Sequence, residues 1–337
     1  MPDLRIPRLF RAHPTETWLV IVLVIMCVGL SLASDKFFTV ANLFNLLNTS
    51  STNLIFAVGL LVVLIAGGID ISFAVAASVV QYVTALALAK IGGGDWFFGL
   101  AIGAIAGIAL GSINAALIYY FRIISIVVTI ATFNVYFGLL MFFTHGVSIY
   151  NLPEWWTHRT VLFEFQQADG AWSALTLPVA IMAGCAFATW VLIRHSTTGR
   201  QLYAFGDNPE GARRLGINIA AMHFIAFGWL GLMAGIAGIV QVHYAQEVVP
   251  NALIGRELDV LAAVVLGGAR LGGGRGTVLG CILGVFLVSV TQNGLNLLGI
   301  SPYAFKMIVG TIILIAITLS NAPLGELLAG IRQRARG

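Results

Sequence analysis

Charge is what this chain lacks. Only 9% of its 337 residues are Asp, Glu, Lys or Arg, where a soluble domain carries roughly 25%. With 59% apolar residues it has too little polar surface to cover itself in water, which excludes an ordinary soluble domain. Cysteine is scarce too. Cys27, Cys185 and Cys281 lie far apart, each inside an apolar run, so neither a disulfide framework nor a zinc site is expected. Catalytic patterns are missing: the histidines form no His-Glu-x-x-His pair, and there is no Gly-x-Ser-x-Gly elbow. The Gly-rich stretch from Gly267 to Gly276 lacks the Gly-Lys-Ser/Thr ending of a phosphate loop and joins two apolar runs. No covalent chemistry, metal or cofactor is expected here. If ATP drives this protein, another chain hydrolyses it.

What the chain does have is apolar runs of the length a helix needs, roughly 20 residues for about 30 Å of hydrocarbon, and a mean hydropathy of +0.94. Reading them between polar punctuation gives spans near 18–33, 51–66, 71–89, 97–119, 123–143, 174–193, 219–242, 257–268, 277–299 and 303–320. The expected fold is therefore an all-α polytopic membrane protein of about ten transmembrane helices. The first run follows Arg5, Arg8 and Arg11 and ends in Ser31-Leu32-Ala33, so it imitates a signal peptide. Retention as a first span is preferred, since it keeps the count even. The eighth run is short enough for a broken or re-entrant element to rival a crossing.

The net charge of +4 would suit nucleic acid or anionic lipid, and its distribution points to membrane topology. With the N-terminus inside, the cytoplasmic segments hold Arg122, Arg194, Arg200, Arg213, Arg214, Arg270, Arg275 and the basic tail Arg332–Arg336 besides the N-terminal arginines. The outer segments hold only Lys36, Lys90, Arg159 and Arg256, with Lys306 at the outer end of the last span. That asymmetry follows the positive-inside rule and favours ten crossings with both termini cytoplasmic. The domain plan is a tail at 1–17, one transmembrane domain at 18–320 with a cytoplasmic loop at 194–218, and a basic tail at 321–337. An outer loop at 145–173 carries Pro153, Trp155, Trp156 and Trp172, tryptophans that suit the membrane–water interface. Glycines fall on stripes: Gly99, Gly103, Gly107 and Gly111; Gly228, Gly231, Gly235 and Gly238; Gly276, Gly280 and Gly284. Such spacing lets helix backbones approach closely.

The cytoplasmic loop holds the most telling local pattern. Asn208 is a good N-cap, Pro209 suits the first helical position, and Glu210 complements the positive end of the dipole. Ala212 follows, Arg213 and Arg214 occupy the last turn, and Leu215-Gly216 can close it in the left-handed conformation. So short a helix is not stable alone, and it must dock on its own protein or on a partner. Asp70, with Ser72, stands between two apolar blocks, where it either lines a path or caps the third span. Other polar residues within spans are uncharged: Asn114, Thr129, Asn134, Gln241, and Gln292, Asn293 and Asn296 on one helix face. They suit interhelical hydrogen bonds or a path for a neutral, hydroxylated solute.

Three stretches resemble the ribose-type permeases of bacterial ATP-binding-cassette importers, in the branched-chain amino acid and ribose permease family. They are Gly67-Gly-Ile-Asp-Ile-Ser72, the loop from Thr198 through Asp207-Asn-Pro-Glu-Gly-Ala-Arg213 to Asn218, and Glu257-Leu-Asp through Gly268 to Pro302. Together they extend from about residue 40 to 320. The resemblance implies a coupling helix at 208–215 against an ATP-hydrolysing subunit, a second permease chain, and delivery of solute by a periplasmic binding protein across the bacterial inner membrane. It implies a monosaccharide or similar small polyol as cargo, or alternatively a furanose-like signal molecule or nucleoside. A stand-alone secondary transporter is the rival class. Ala74 and Val75 stand where family members often have Gly-Ser, which bears on the solute rather than the class.

Overall fold

The computed structural model describes residues 14–166 and 172–301, with Ala304, Lys306–Ile308, Gly310, Thr311 and Leu314 beyond them. The chain runs α1 (Pro14–Ala33), α2 (Val40–Ile65), α3 (Phe73–Ile91), α4 (Trp96–Phe121), α5 (Ser125–Thr144), a single turn α6 (Glu154–Thr157), strands β1 (Val161–Gln166) and β2 (Trp172–Thr176), and α7 (Leu177–Trp190). A π-helical turn, Val191–His195, leads into α8 (Thr197–Asp207), followed by α9 (Pro209–Arg214), α10 (Ile219–Ala245), α11 (Arg256–Leu266) and α12 (Val278–Leu297). Among the described residues eight helices are long and apolar enough to cross a membrane, and the protein is a polytopic, all-α membrane protein. Most of the expected last span, 303–320, and of the tails at 1–17 and 321–337 lies outside the described residues.

Helix α2 is the axis of the bundle. Every residue from Ile55 to Ile65 is buried, enclosed by α7, α10, α11 and α12. This explains a run that is apolar on all sides. It starts at Val40, well before the expected residue 51, because Thr39 caps it by accepting from Asn42 N. The glycine stripes close the bundle. Gly103, Gly107 and Gly111 of α4 lie backbone to backbone with Gly231 and Gly235 of α10, where any Cβ would collide with a facing carbonyl. Gly280 and Gly284 of α12 meet Gly267 and Ala263 of α11 in the same way.

The eighth run forms the short element that rivalled a full crossing: α11 has 11 residues, about 16 Å at 1.5 Å each, half the hydrocarbon thickness. Gly255 at φ 90° and Gly268 at φ 89° bracket it. The rest of that passage is irregular chain, secured where Val248 and Ile149 exchange backbone hydrogen bonds at 3.0 Å and where Gln81 Nε2 donates to Val249 O at 3.0 Å. The expectation for the outer loop needs correction. Trp155 and Trp156 enter the bundle instead of lying at its edge. Trp156 is fully buried, stacks on Trp155 at 5.5 Å, and donates from Nε1 to Ile239 O at 2.9 Å. His243 Nδ1 donates to Trp156 O at 2.8 Å. Trp172 alone of the three stays exposed, at 64%, in an antiparallel hairpin of β1 and β2 that the apolar pattern did not announce.

Candidate coupling helix and buried polar break

The loop at 194–218 folds as two helices in series. Ser196 caps α8 by accepting from Gly199 N at 2.9 Å, and Asn208 caps α9 by accepting from Gly211 N at 2.8 Å. Pro209 fills the first position of α9. Gly216, at φ 79°, ends it, with Gly216 N donating to Arg213 O and Ile217 N to Ala212 O. The helix therefore forms as its caps dictate. Ala212 is its buried anchor at 2% exposure, whereas Asn208, Pro209, Glu210, Arg213 and Arg214 are exposed and Leu215 is 79% exposed. Glu210 and Arg214 pair at 3.4 Å on the surface, which contributes little to stability. A cavity of about 1140 Å³ opens beside α9, walled by the end of α4 and the start of α10, with Tyr119, Arg122, Asp207, Glu210, Arg213 and His223 in its lining.

Helix α8, which carries α9, is tied to the bundle through backbone contacts. Gly206, at the end of α8, lies directly against Ile65 O and close to Gly274 N, and Gly274 N donates to Ile65 O at 2.9 Å. Tyr203 of α8 donates its hydroxyl to Gly276 O at 2.6 Å. Burial pushes the Tyr203 phenol above its ordinary value, with Arg194 opposing, so the donor keeps its proton. The end of α2, the coupling loop and the loop 267–277 thus meet on backbone atoms, which explains why glycines crowd these stretches.

The break between α2 and α3 begins one residue past this junction. Asp70 is 2% exposed, Ser72 1% and Asn114 1%. One Asp70 oxygen, Oδ1, accepts from Ser72 N and Ser72 Oγ, both at 2.7 Å; Asn114 Nδ2 donates to Asp70 Oδ2 at 3.2 Å and to Ser72 Oγ at 2.8 Å. Asn114 Oδ1 is left buried without a partner. Ser125 Oγ accepts from Ile69 N at 2.9 Å and Thr129 Oγ1 donates to Ile69 O at 3.3 Å, so α5 pins the same turn. The carboxylate ties the start of α3 to α4 and is buried in this conformation. Ser125 was not singled out in the sequence; its place at the first position of α5, right after Ile124, was the available signal.

The remaining polar residues do not join this cluster. Asn293 of α12 and Asn42 of α2 exchange amide hydrogen bonds at 2.8 and 2.9 Å, clamping two helices. Gln292 is half-buried and Asn296 exposed on α12, and Asn134 is exposed on α5 with Nδ2 donating to Ile130 O at 2.8 Å. Gln241 packs in the core, where Thr52 Oγ1 donates to its Oε1 at 3.3 Å.

Comparison with known proteins places this arrangement. Residues 42–317 match the family described as the permease component of branched-chain amino acid transport systems. The ribose import permease protein of Escherichia coli is 33% identical over 324 residues, covering 92% of this chain and 97% of its own. That of Bacillus subtilis is 32% identical over 301 residues, 89% and 90% of the two chains. The autoinducer 2 import system permease protein of Photorhabdus luminescens is 30% identical over 298 residues, 87% and 86%. No solved structure matches. The matched span takes in the bundle, the buried break and the coupling loop together, and the chain belongs to this family of permease components: it is a membrane-spanning, non-catalytic transport subunit.

Proposed function

We propose that this chain is the permease of an ATP-driven importer in the bacterial inner membrane and carries a monosaccharide or similar small polyol. The observation that carries the reading is α9: a capped, exposed helix with Leu215 bare at its end, joined through Gly206 to the end of α2. A separate ATP-hydrolysing subunit receives Leu215, Arg213 and Arg214, and its closure moves α8 and α9 against the break at 66–72. A periplasmic binding protein delivers the solute to the opposite end, and a second permease chain completes the path. Asp70, Ser72 and Asn114 set the bend where α2 turns into α3; Asn134, Gln292 and Asn296 are the polar residues left to face a solute or a partner. The sugar assignment is supported by the ribose import relatives, and uncharged polar residues within the spans suit a neutral solute. The autoinducer 2 relative keeps a furanose-like signal molecule as the second reading.

The test is ATP hydrolysis by the complex purified from its own membrane, with binding protein added. Stimulation by ribose or another monosaccharide, and none by leucine, is expected. Stimulation by leucine alone would overturn the sugar assignment, and solute movement in vesicles without nucleotide would overturn the importer.

A further inference from the structure

Helix α11 begins with charge inside the bundle. Arg256, its first residue, donates from Nη1 to Asn53 Oδ1 at 3.3 Å. Asn53 lies 13 residues after Val40 and 12 before Ile65 on α2, about 18–20 Å from either end at 1.5 Å per residue. Whichever end of α2 is level with the boundary of a hydrocarbon layer about 30 Å thick, Asn53 falls within about 5 Å of its midplane. The length of α11 gives a similar depth. Its far end leads into the loop 267–277, which meets α2 where Gly274 N donates to Ile65 O, so Arg256 starts about 16 Å from that junction. The charge pattern puts Arg256 in an outer segment, whereas the short α11 brings it to mid-depth.

A charge at this depth is costly beside lipid and belongs in the protein interior or in a water-filled path. The two carboxylates of α11 divide on that point. Glu257 is buried and accepts from Gly255 N with both oxygens, at 2.9 and 3.1 Å, so it shapes the turn. Asp259, one turn beyond Arg256 and on the same side of the helix, is half-buried and makes no hydrogen bond or ion pair among the described residues. The cations whose charge reaches it are Lys306 and Arg256. Helix α11 packs on α2, α3 and α12, and Leu258, between the two charged residues, is 62% exposed, so the helix has an open side.

We propose that Arg256 and Asp259 are the mid-depth contact of the solute, the guanidinium donating to one hydroxyl and the carboxylate accepting from its neighbour, with Asn53 holding the guanidinium. A donor fork beside an acceptor-only group matches adjacent hydroxyls, each of which both donates and accepts. One positive and one negative charge leave the pair neutral, which suits an uncharged polyol. An α-amino acid would offer the same pair a carboxylate and an ammonium, so leucine is the rival probe. The proposal rests on the reading of this chain as the permease of a sugar importer, and adds which residues hold the solute in passage.

The experiment is thiol labelling of the whole complex in lipid discs, in a background with Cys27, Cys185 and Cys281 changed to alanine. Asp259→Cys is treated with a charged, water-soluble thiol reagent, which reacts with the thiolate that water allows. Val28→Cys on the exposed side of α1 is the lipid-facing control. The expected result is labelling of at least half of Asp259→Cys in the time that leaves Val28→Cys below a tenth. Binding protein loaded with ribose, or with whichever monosaccharide stimulates ATP hydrolysis by the parent, should slow that labelling to half or less, against unloaded binding protein with the same ATP. Labelling no greater than at Val28, no slowing by the sugar, or slowing by leucine alone overturns the proposal. Asp259→Asn, which keeps the side-chain shape, is read in vesicles for sugar entry per ATP hydrolysed. Loss of a hydrogen bond to a charged group predicts a fall of roughly 10–100-fold, and parental entry overturns the contact. The parent is scored in the same vesicles. ATP-dependent sugar entry by the parent beside a failed Asp259 result sinks this contact alone; entry without nucleotide sinks the importer reading beneath it.

Discussion

Gly206→Ala should uncouple the loop from the bundle while leaving both largely formed. The methyl would overlap Ile65 O outright and stand 2.8 Å from Gly274 N, where ordinary contact begins at 3.4 Å. Neither neighbour is a side chain that can swing away. Overpacking of this kind costs about 1–3 kcal/mol. Relief requires α8 to withdraw from α2 and breaks the 2.9 Å hydrogen bond from Gly274 N to Ile65 O, a further 1–3 kcal/mol or so for buried backbone groups left unpaired. A total of about 2–6 kcal/mol translates to a fall in melting temperature of roughly 3–8 °C on the per-residue entropy scale of globular chains. Gly184→Ala on α7 is the control, because nothing lies within 4 Å of its Cβ position. The assay is thermal unfolding in mild detergent beside solute-stimulated ATP hydrolysis by the assembled complex. Gly206→Ala should melt lower and lose stimulation, and Gly184→Ala should match the parent in both. Parental melting and full stimulation for Gly206→Ala would refute the junction as the mechanical link.

Other outcomes follow from the same geometry. Asp70→Ala strands Ser72 N and the Asn114 amide in a buried site, so it should cost about 2–4 kcal/mol and lower transport by lowering folded protein, with the solute KM unchanged. Asp70→Asn should be far milder, because Asn114 can turn its unpaired Oδ1 toward the new amide; a changed KM in either variant would return Asp70 to the solute path. Asn42→Leu and Asn293→Leu should each destabilise, and the double variant should recover part of the loss. The coupling energy expected from that cycle is about 0.6–2 kcal/mol, and a value near zero would contradict the clamp. Trp156→Phe keeps most of the ring but drops the bond to Ile239 O, so melting should fall by about 1 kcal/mol in equivalent stability with ATPase binding intact; lost ATPase binding would mean the outer loop acts at a distance.

Much of this was legible in the sequence because a membrane imposes coarse rules. Apolar runs announce helices, and Gly stripes announce close contacts, as Gly107 against Gly231 shows. Helix α9 could be read residue by residue, since Asn208, Pro209 and Gly216 act within their own turn and need no distant partner. What stayed hidden depends on such partners. The carboxylate of Asp70 is tied to α4 because Asn114, 44 residues later, meets it. Likewise Asn293 clamps α12 to α2 because Asn42 arrives from 251 residues away. Trp156 is apolar enough for an interface and for a core alike, and the gap left by Gly99 beside Trp155 decides for the core. The sequence left α11 open between a crossing and a broken element, and its 11 residues fall short of a spanning helix, bracketed by left-handed glycines.

The central claim is that α9 is where an ATP-hydrolysing partner grips this chain. The most direct measurement is recovery of the tagged protein from its native membrane in mild detergent, beside a Glu210→Arg, Arg213→Glu double variant and a Leu215→Asp variant. All three side chains are exposed, so the variants should fold and melt like the parent. The account predicts that an ATPase comes with the parent and is lost from both variants. An ATPase that stays bound to both, or a parent that purifies alone and still moves solute without nucleotide, would contradict it.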